Sequence, residues 1–128
     1  MKEVNEETPR ITLVLGATPN PARYAYLATM RLLAAGERVM LVGIKDGQIG
    51  GIDIQKGMPV PDALVDTVTL YVGPRHQPAY YDYLLQLRPR RIIFNPGTEN
   101  PELLQLAKEA GIETEVACTL VLLSTGSY

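Results

Sequence analysis

The sequence predicts a single α/β domain built on a doubly wound parallel sheet, and three observations carry that prediction. Short continuous runs of Val, Ile and Leu recur along the 128 residues, and such runs suit strands buried on both faces. Between them lie amphipathic helical patterns entered through short Pro- and Gly-punctuated connections, and right-handed crossovers of this kind give parallel pairing with helices on both faces. Apolar residues make up 46% and charged residues 20%, the balance of one packed globular core. The implied architecture is a three-layer, Rossmann-like sheet of about five parallel strands in the order 3-2-1-4-5.

Residues 1–10, which include Glu3, Glu6 and Glu7, read as a flexible polar tail, and residues 11–128 as the domain. The first strand is the apolar run 11–16, closed by Gly16. Asn20 as N-cap and Pro21 at the first helical position then start a helix, with Ala25, Ala28, Leu32 and Ala35 on one face and Gly36 at its end. Residues 38–42 form the second strand. Residues 44–61, rich in Gly, Asp and Gln, form a connection with a short extended piece at 52–54. The third strand, 66–72, alternates Val68, Leu70 and Val72 with Thr67, Thr69 and Tyr71. Gly73 and Pro74 end it before a helix bearing Tyr80, Tyr83, Leu84 and Leu87 at i, i+3, i+4 and i+7. Residues 91–95 are the fourth strand. Asn100 and Pro101 then cap a helix with Leu103, Leu106, Ala107 and Ala110 inward and Gly111 at its close. Residues 113–117 make a fifth short strand. Repeats and low-complexity segments are absent.

Counting excludes several functions. Twelve basic against fourteen acidic side chains leave a net charge of −2, which argues against general nucleic-acid binding, whose affinity rests on excess basic groups. One cysteine, Cys118, and one histidine, His76, allow neither an internal disulfide nor a Cys/His zinc cage within one molecule, so no metal site is expected. No apolar run approaches the ~20 residues of a membrane span. The acidic start is unlike a secretory signal, so the expected compartment is the cytoplasm. Ser124 and Ser127 are the only serines, and neither sits in a nucleophile elbow.

In doubly wound sheets ligands bind beyond the carboxyl ends of the strands, where strand order reverses, so chemistry is sought in the loops there. The first loop sets Gly16, Ala17 and Thr18 ahead of a helix start whose backbone N–H groups suit phosphate, although the G-x-G-x-x-G fingerprint is missing. Arg23 stands in the first helical turn, where a cation opposes the macrodipole unless an anion is bound. After the second strand, Gly43 and Ile44 are followed by Lys45 and only then by Asp46. An NAD-type domain has an acidic residue in this region for the ribose hydroxyls, and lysine suits a ribose bearing an extra phosphate. The third loop adds Arg75. Three cations on successive loops of one sheet edge, in an acidic protein, point to a bound polyphosphate.

The sequence resembles the coenzyme A binding domains similar to that of the succinyl-CoA synthetase alpha subunit, above all their small stand-alone bacterial members. The resemblance runs from residue 11 to about 125. Its carriers are Gly16, Ala17 and Thr18 with Pro21, Arg23 and Tyr24, then Val42 and Gly43, residues 68–74, and residues 95–99. It implies coenzyme A or an acyl-CoA as ligand, with the 3′-phospho-ADP moiety across the first three loops and the pantetheine arm running toward the fourth. The backbone of Gly16, Ala17 and Thr18 and the side chains of Arg23 and Tyr24 would meet the pyrophosphate, and Lys45 the 3′-phosphate. Val72, Gly73 and Pro74 would form a shelf against adenine, and Pro96 and Gly97 would let the backbone approach the arm. The synthetase's second domain, with its phosphorylated histidine, has no counterpart here, and His76 does not match that residue.

No paired acid and base occupies these loops, so no catalytic residue is assigned, and nothing local orients His76 as a base. Cys118, just after the fifth strand, is either a buried inert thiol or a partner for the ligand thiol. Two other readings stay open: a small NADP-dependent oxidoreductase, which Lys45 permits, and a protein-interaction module with a vestigial nucleotide pocket. A homodimer contact through apolar residues 120–123, or a partner enzyme, is likewise left open.

Overall fold

The computed structural model describes residues 10–128. Most of the expected tail, residues 1–9, lies outside them, but Arg10 belongs to the first strand. In sequence order the elements are β1 (Arg10–Leu15), α1 (Tyr24–Ala34), β2 (Val39–Val42), β3 (Gln48–Ile49), β4 (Ile52–Gln55) and β5 (Leu64–Leu70). Two 3₁₀ turns follow, Pro74–His76 and Pro78–Tyr80. Then come α2 (Tyr81–Leu87), β6 (Arg91–Phe94), α3 (Pro101–Glu109), β7 (Glu113–Val116) and α4 (Thr119–Ser124).

The strands form one seven-stranded sheet in the order β3-β4-β2-β1-β5-β6-β7, parallel throughout except where β3 pairs antiparallel with β4. The Rossmann-like class holds, but strand number and order differ from the expected five in order 3-2-1-4-5. The strand read third, β5, lies on the other side of β1, with Leu13 opposite Val68 and Leu15 opposite Leu70. The place outside β2 belongs to β4, which pairs Leu41 with Ile54. Its four residues bury only Ile54 and leave Asp53 and Gln55 exposed, a pattern too short and polar to be read as a sheet strand. The backbone thus leaves β1 toward β2 and later returns to β5 on the opposite flank, which creates a topological switch point at β1.

Strand pleating divides the core between two faces. Leu13, Leu15, Val68, Leu70, Ile92 and Phe94 pack with Leu84 of α2 and with Leu103 and Ala107 of α3. Val14, Leu41 and Ile54 pack with Ala25 and Leu32 of α1, with Leu123 of α4 against them. Helix α4 is not among the elements the sequence pattern predicts. Of its apolar residues Leu120, Leu122 and Leu123 are half-buried and Val121 is exposed, and Leu123 packs against the core of the same molecule.

Two helix starts show the local rules at work. Asn100 caps α3 as expected, its Oδ1 accepting from the amides of Glu102 (3.0 Å) and Leu103 (3.3 Å), with Pro101 at the first position. Asn20 instead closes a turn: its Oδ1 accepts from the Ala22 amide at 3.0 Å and its carbonyl from the Arg23 amide at 3.1 Å. The N-cap of α1 is therefore Arg23, which makes no capping bond through its side chain.

Candidate functional site

A cleft of about 870 Å³ opens at the carboxyl edge of the sheet over the switch point, a size within the range of small-molecule sites. It gathers ten of the thirteen residues singled out in the sequence: Gly16, Ala17, Thr18, Arg23, Tyr24, Gly43, Lys45, Val72, Gly73 and Pro96. Pro74, Arg75 and Gly97 are not in its wall. Arg75 sits on a 3₁₀ turn rather than at an α-helix N-terminus, because α2 begins only at Tyr81. The amide of Gly97 is turned to Glu99, donating to its Oε1 at 2.9 Å.

Two glycines at the cleft, Gly16 and Gly43, are required by the backbone itself. Gly16 has φ +101°, and a Cβ there would stand 2.7 Å from both the carbonyl carbon and the carbonyl oxygen of Tyr71, a conformation and a proximity that only glycine tolerates. Gly43 packs equally tightly under the Ala17 carbonyl. The amides of Gly16 and Ala17 both donate to the Val42 carbonyl, at 2.8 and 3.0 Å, which ties the first loop to β2 and removes those two N–H groups from the set open to a ligand. Thr18, Tyr24 and Ala25 keep amides with no hydrogen-bond partner among the described residues, and all three line the cleft. An uncapped helix start is a ready anion site.

The electrostatics agree with that backbone. Arg23 and Lys45 line the cleft and no aspartate or glutamate does. Neither cation forms an ion pair with a carboxylate among the described residues, whereas Asp46, the acidic neighbour of Lys45, is held by Lys56 at 3.0 Å. His76 joins the wall and Ile44 lies beside Lys45, 82% exposed. The floor is Tyr71, whose phenol is pushed up to about 12, chiefly by burial, so it stays neutral and protonated at ordinary pH. The far end, with Val72, Gly73, His76, Ala79, Tyr80 and Pro96, holds no lysine, arginine or carboxylate.

Below the fourth loop, Asn95 is buried. Its Nδ2 donates to Thr69 Oγ1 (2.7 Å) and the Leu70 carbonyl (2.8 Å), and its Oδ1 accepts from the Thr119 amide (2.8 Å). This binds β5, β6 and α4 together beside the site. Cys118, at the start of α4, is half-buried and does not line the cleft. No group of three His, Cys, Asp or Glu residues able to hold a metal occurs among the described residues, and none of their helices is long and apolar enough to cross a membrane.

Sequence reasoning missed His76, Ile44, Tyr71, Ala79 and Tyr80 as wall residues. Ile44 simply follows β2 beside Lys45; the others reach the cleft through the crossing of β5 beside β1 and through the 3₁₀ turns that follow, and neither feature leaves a local signature.

Fold and topology define a Rossmann-like α/β domain with a cleft at the switch point. Its sequence matches the CoA binding domain family over residues 10–124, and the protein belongs to that family. The crystal structure of an uncharacterized protein is 50% identical and superposes with a TM-score of 0.89, over 94% of this chain and 98% of that one. A hypothetical protein from Pyrococcus horikoshii OT3 is 28% identical, with a TM-score of 0.78 over 94% of this chain and 84% of its own. A Thermus thermophilus structure at 24% identity shares the fold, with a TM-score of 0.80 over 96% and 92%. Among curated proteins none matches the sequence.

Proposed function

We propose that the protein binds coenzyme A or an acyl-CoA in the cleft over the switch point and performs no catalysis of its own. One observation, joined to membership of the CoA binding domain family, carries the reading: the cleft is lined by Arg23 and Lys45 without a single carboxylate, in a protein whose acidic side chains outnumber its basic ones. The residues fit the ligand's parts. The open amides of Thr18, Tyr24 and Ala25 with Arg23 suit a pyrophosphate, and Lys45 suits a 3′-phosphate. Ile44, Val72 and Gly73 offer apolar surface to a base. The uncharged end at Ala79, Tyr80 and Pro96 suits the pantetheine arm.

Lys45 would equally accept the 2′-phosphate of NADP, which keeps an oxidoreductase as the second reading. Calorimetric titration of ligand-stripped protein with coenzyme A, dephospho-coenzyme A, NADP and NAD at one salt concentration separates the two. Micromolar coenzyme A binding, weakened without the 3′-phosphate and absent for both dinucleotides, is the expected result. Preference for NADP would favour the oxidoreductase, and no binding of any of the four would leave the interaction module.

A further inference from the structure

We propose that Gln77 is a positioning residue that sets the uncharged end of the cleft and thereby selects the ligand by its neutral arm; this rests on the coenzyme A reading above. Gln77 is a long polar residue with no solvent exposure, of a type usually found at the surface. Its Nε2 donates to the Val72 carbonyl at 2.9 Å and to the Thr98 carbonyl at 2.8 Å. Its Oε1 accepts from Asn100 Nδ2 at 2.9 Å. Asn100 extends the brace, capping α3 through Oδ1 and donating to the Tyr81 hydroxyl at 2.9 Å, which donates in turn to Glu102.

The position of this brace gives it a role in binding. Val72, Gly73, His76, Ala79 and Tyr80, from residues 72–80, form one wall at that end of the cleft, and Pro96 stands on the other. Strand pairing ends before both segments, since the β5–β6 ladder stops at Leu70 and Phe94. Among the described residues, the Gln77 to Thr98 bond is the only hydrogen bond joining residues 72–80 to residues 96–99. Gln77 is therefore the one side chain that ties the two walls to each other directly by a hydrogen bond, on top of the packing of Val72 and Tyr80 against the core. The cations and open amides lie at the other end, so the phosphates of a ligand are drawn there whether or not the brace is intact. What Gln77 governs is the fit of the part of the ligand that carries no charge.

A role in packing alone would weaken every ligand alike, so the test compares coenzyme A with a ligand that keeps the base, the 3′-phosphate and one 5′-phosphate but lacks the arm. Coenzyme A and adenosine 3′,5′-bisphosphate are titrated calorimetrically into the wild-type protein, Gln77→Met and Asn100→Asp, with thermal melts run in parallel. Methionine approximates the volume but cannot donate to the Val72 and Thr98 carbonyls. Aspartate at 100 keeps an oxygen for the α3 cap and removes the donor to Gln77. The expected result is about a tenfold loss of coenzyme A affinity in Gln77→Met, the size of one or two lost hydrogen bonds. Bisphosphate, which meets this wall only through its base at Val72, should lose less than about threefold, and Asn100→Asp should show a smaller loss with the same selectivity.

Equal losses for the two ligands, or no loss for either, would overturn the proposal while leaving the coenzyme A reading standing. Failure of the wild-type protein to bind coenzyme A would overturn both. Failure to bind the bisphosphate would overturn the division of the cleft on which the proposal depends. Should Gln77→Met not fold, Asn100→Asp carries the same comparison.

Discussion

Replacing Lys45 by methionine removes one charge from the cleft while keeping most of the side chain's length, and its effect on affinity is calculable. Two unit charges about 4 Å apart interact by about 1 kcal/mol in water and about 4 kcal/mol at an effective dielectric of about 20. Lys45 is exposed, which places its interaction with a ligand phosphate in the lower part of that span, about 1 to 2 kcal/mol. This corresponds to roughly a 5- to 30-fold loss of affinity. The informative form is a double-mutant cycle: wild type and Lys45→Met, each titrated with coenzyme A and with dephospho-coenzyme A. If Lys45 meets the 3′-phosphate, removing that phosphate weakens the wild type by the full factor and the variant hardly at all. The coupling should shrink as salt is raised, because the Debye length is already about 10 Å at 0.1 M. A coupling near zero, with both single changes weakening binding, would place the 3′-phosphate elsewhere and refute the assignment.

Other consequences are independent of the ligand. Gly16→Ala forces a Cβ onto the Tyr71 backbone at φ +101°, and urea unfolding should show a loss of about 2–4 kcal/mol. Asn95→Ala deletes three buried hydrogen bonds at about 1 kcal/mol each, so a loss of about 3 kcal/mol is expected, and a change below about 1 would show that water replaces the side chain at little cost. Asp66 takes hydrogen bonds from Arg90 at 2.9 and 3.1 Å and pairs with Arg10 at 3.4 Å. The Arg90 hydrogen bonds above all hold its carboxyl below the ordinary value of 3.8. A depressed acid stabilises the fold fully above its unfolded pKa and ceases to do so as pH falls through the folded value. Stability measured from pH 6 downward should therefore decline less in Asp66→Asn than in the wild type. The difference should stay under about 1 kcal/mol because solvent screens the cluster, and identical pH profiles would contradict the pairing.

The fold class was legible because β1, β2, β5 and β6 are each short runs dominated by apolar or β-branched residues, β7 alternates Glu with Thr and Val, and Asn100 with Pro101 is a complete capping signal. Strand order was not, because it depends on β4, where only Ile54 is buried and the remaining residues resemble loop. The start of α1 was misplaced because Asn20 and Pro21 carry the cap signature, while Asn20 spends its oxygen on a tighter turn. In the cleft, Arg23 was legible as a cation set against the helix dipole and Lys45 as a cation where an NAD-type domain has an acid, both on loops at the carboxyl edge of the sheet. Arg75 was expected at a helix start, whereas the 3₁₀ turns after β5 put His76 into the cleft wall and leave Arg75 beside it in sequence but outside the lining. Gln77 carried no signal, since its three bonds go to residues 5, 21 and 23 positions away and exist only once β5 and β6 are paired.

Where the ligand sits can be read by amide chemical-shift mapping in two-dimensional NMR during titration with coenzyme A. Binding over the switch point should give the largest changes at Thr18, Tyr24 and Ala25, whose amides are open, smaller ones at Gly43 and Gly73, and none along the distant β7 edge at Glu113 and Glu115. Changes centred on β7 or spread evenly over the domain, with the amides of Thr18, Tyr24 and Ala25 unmoved, would contradict that location.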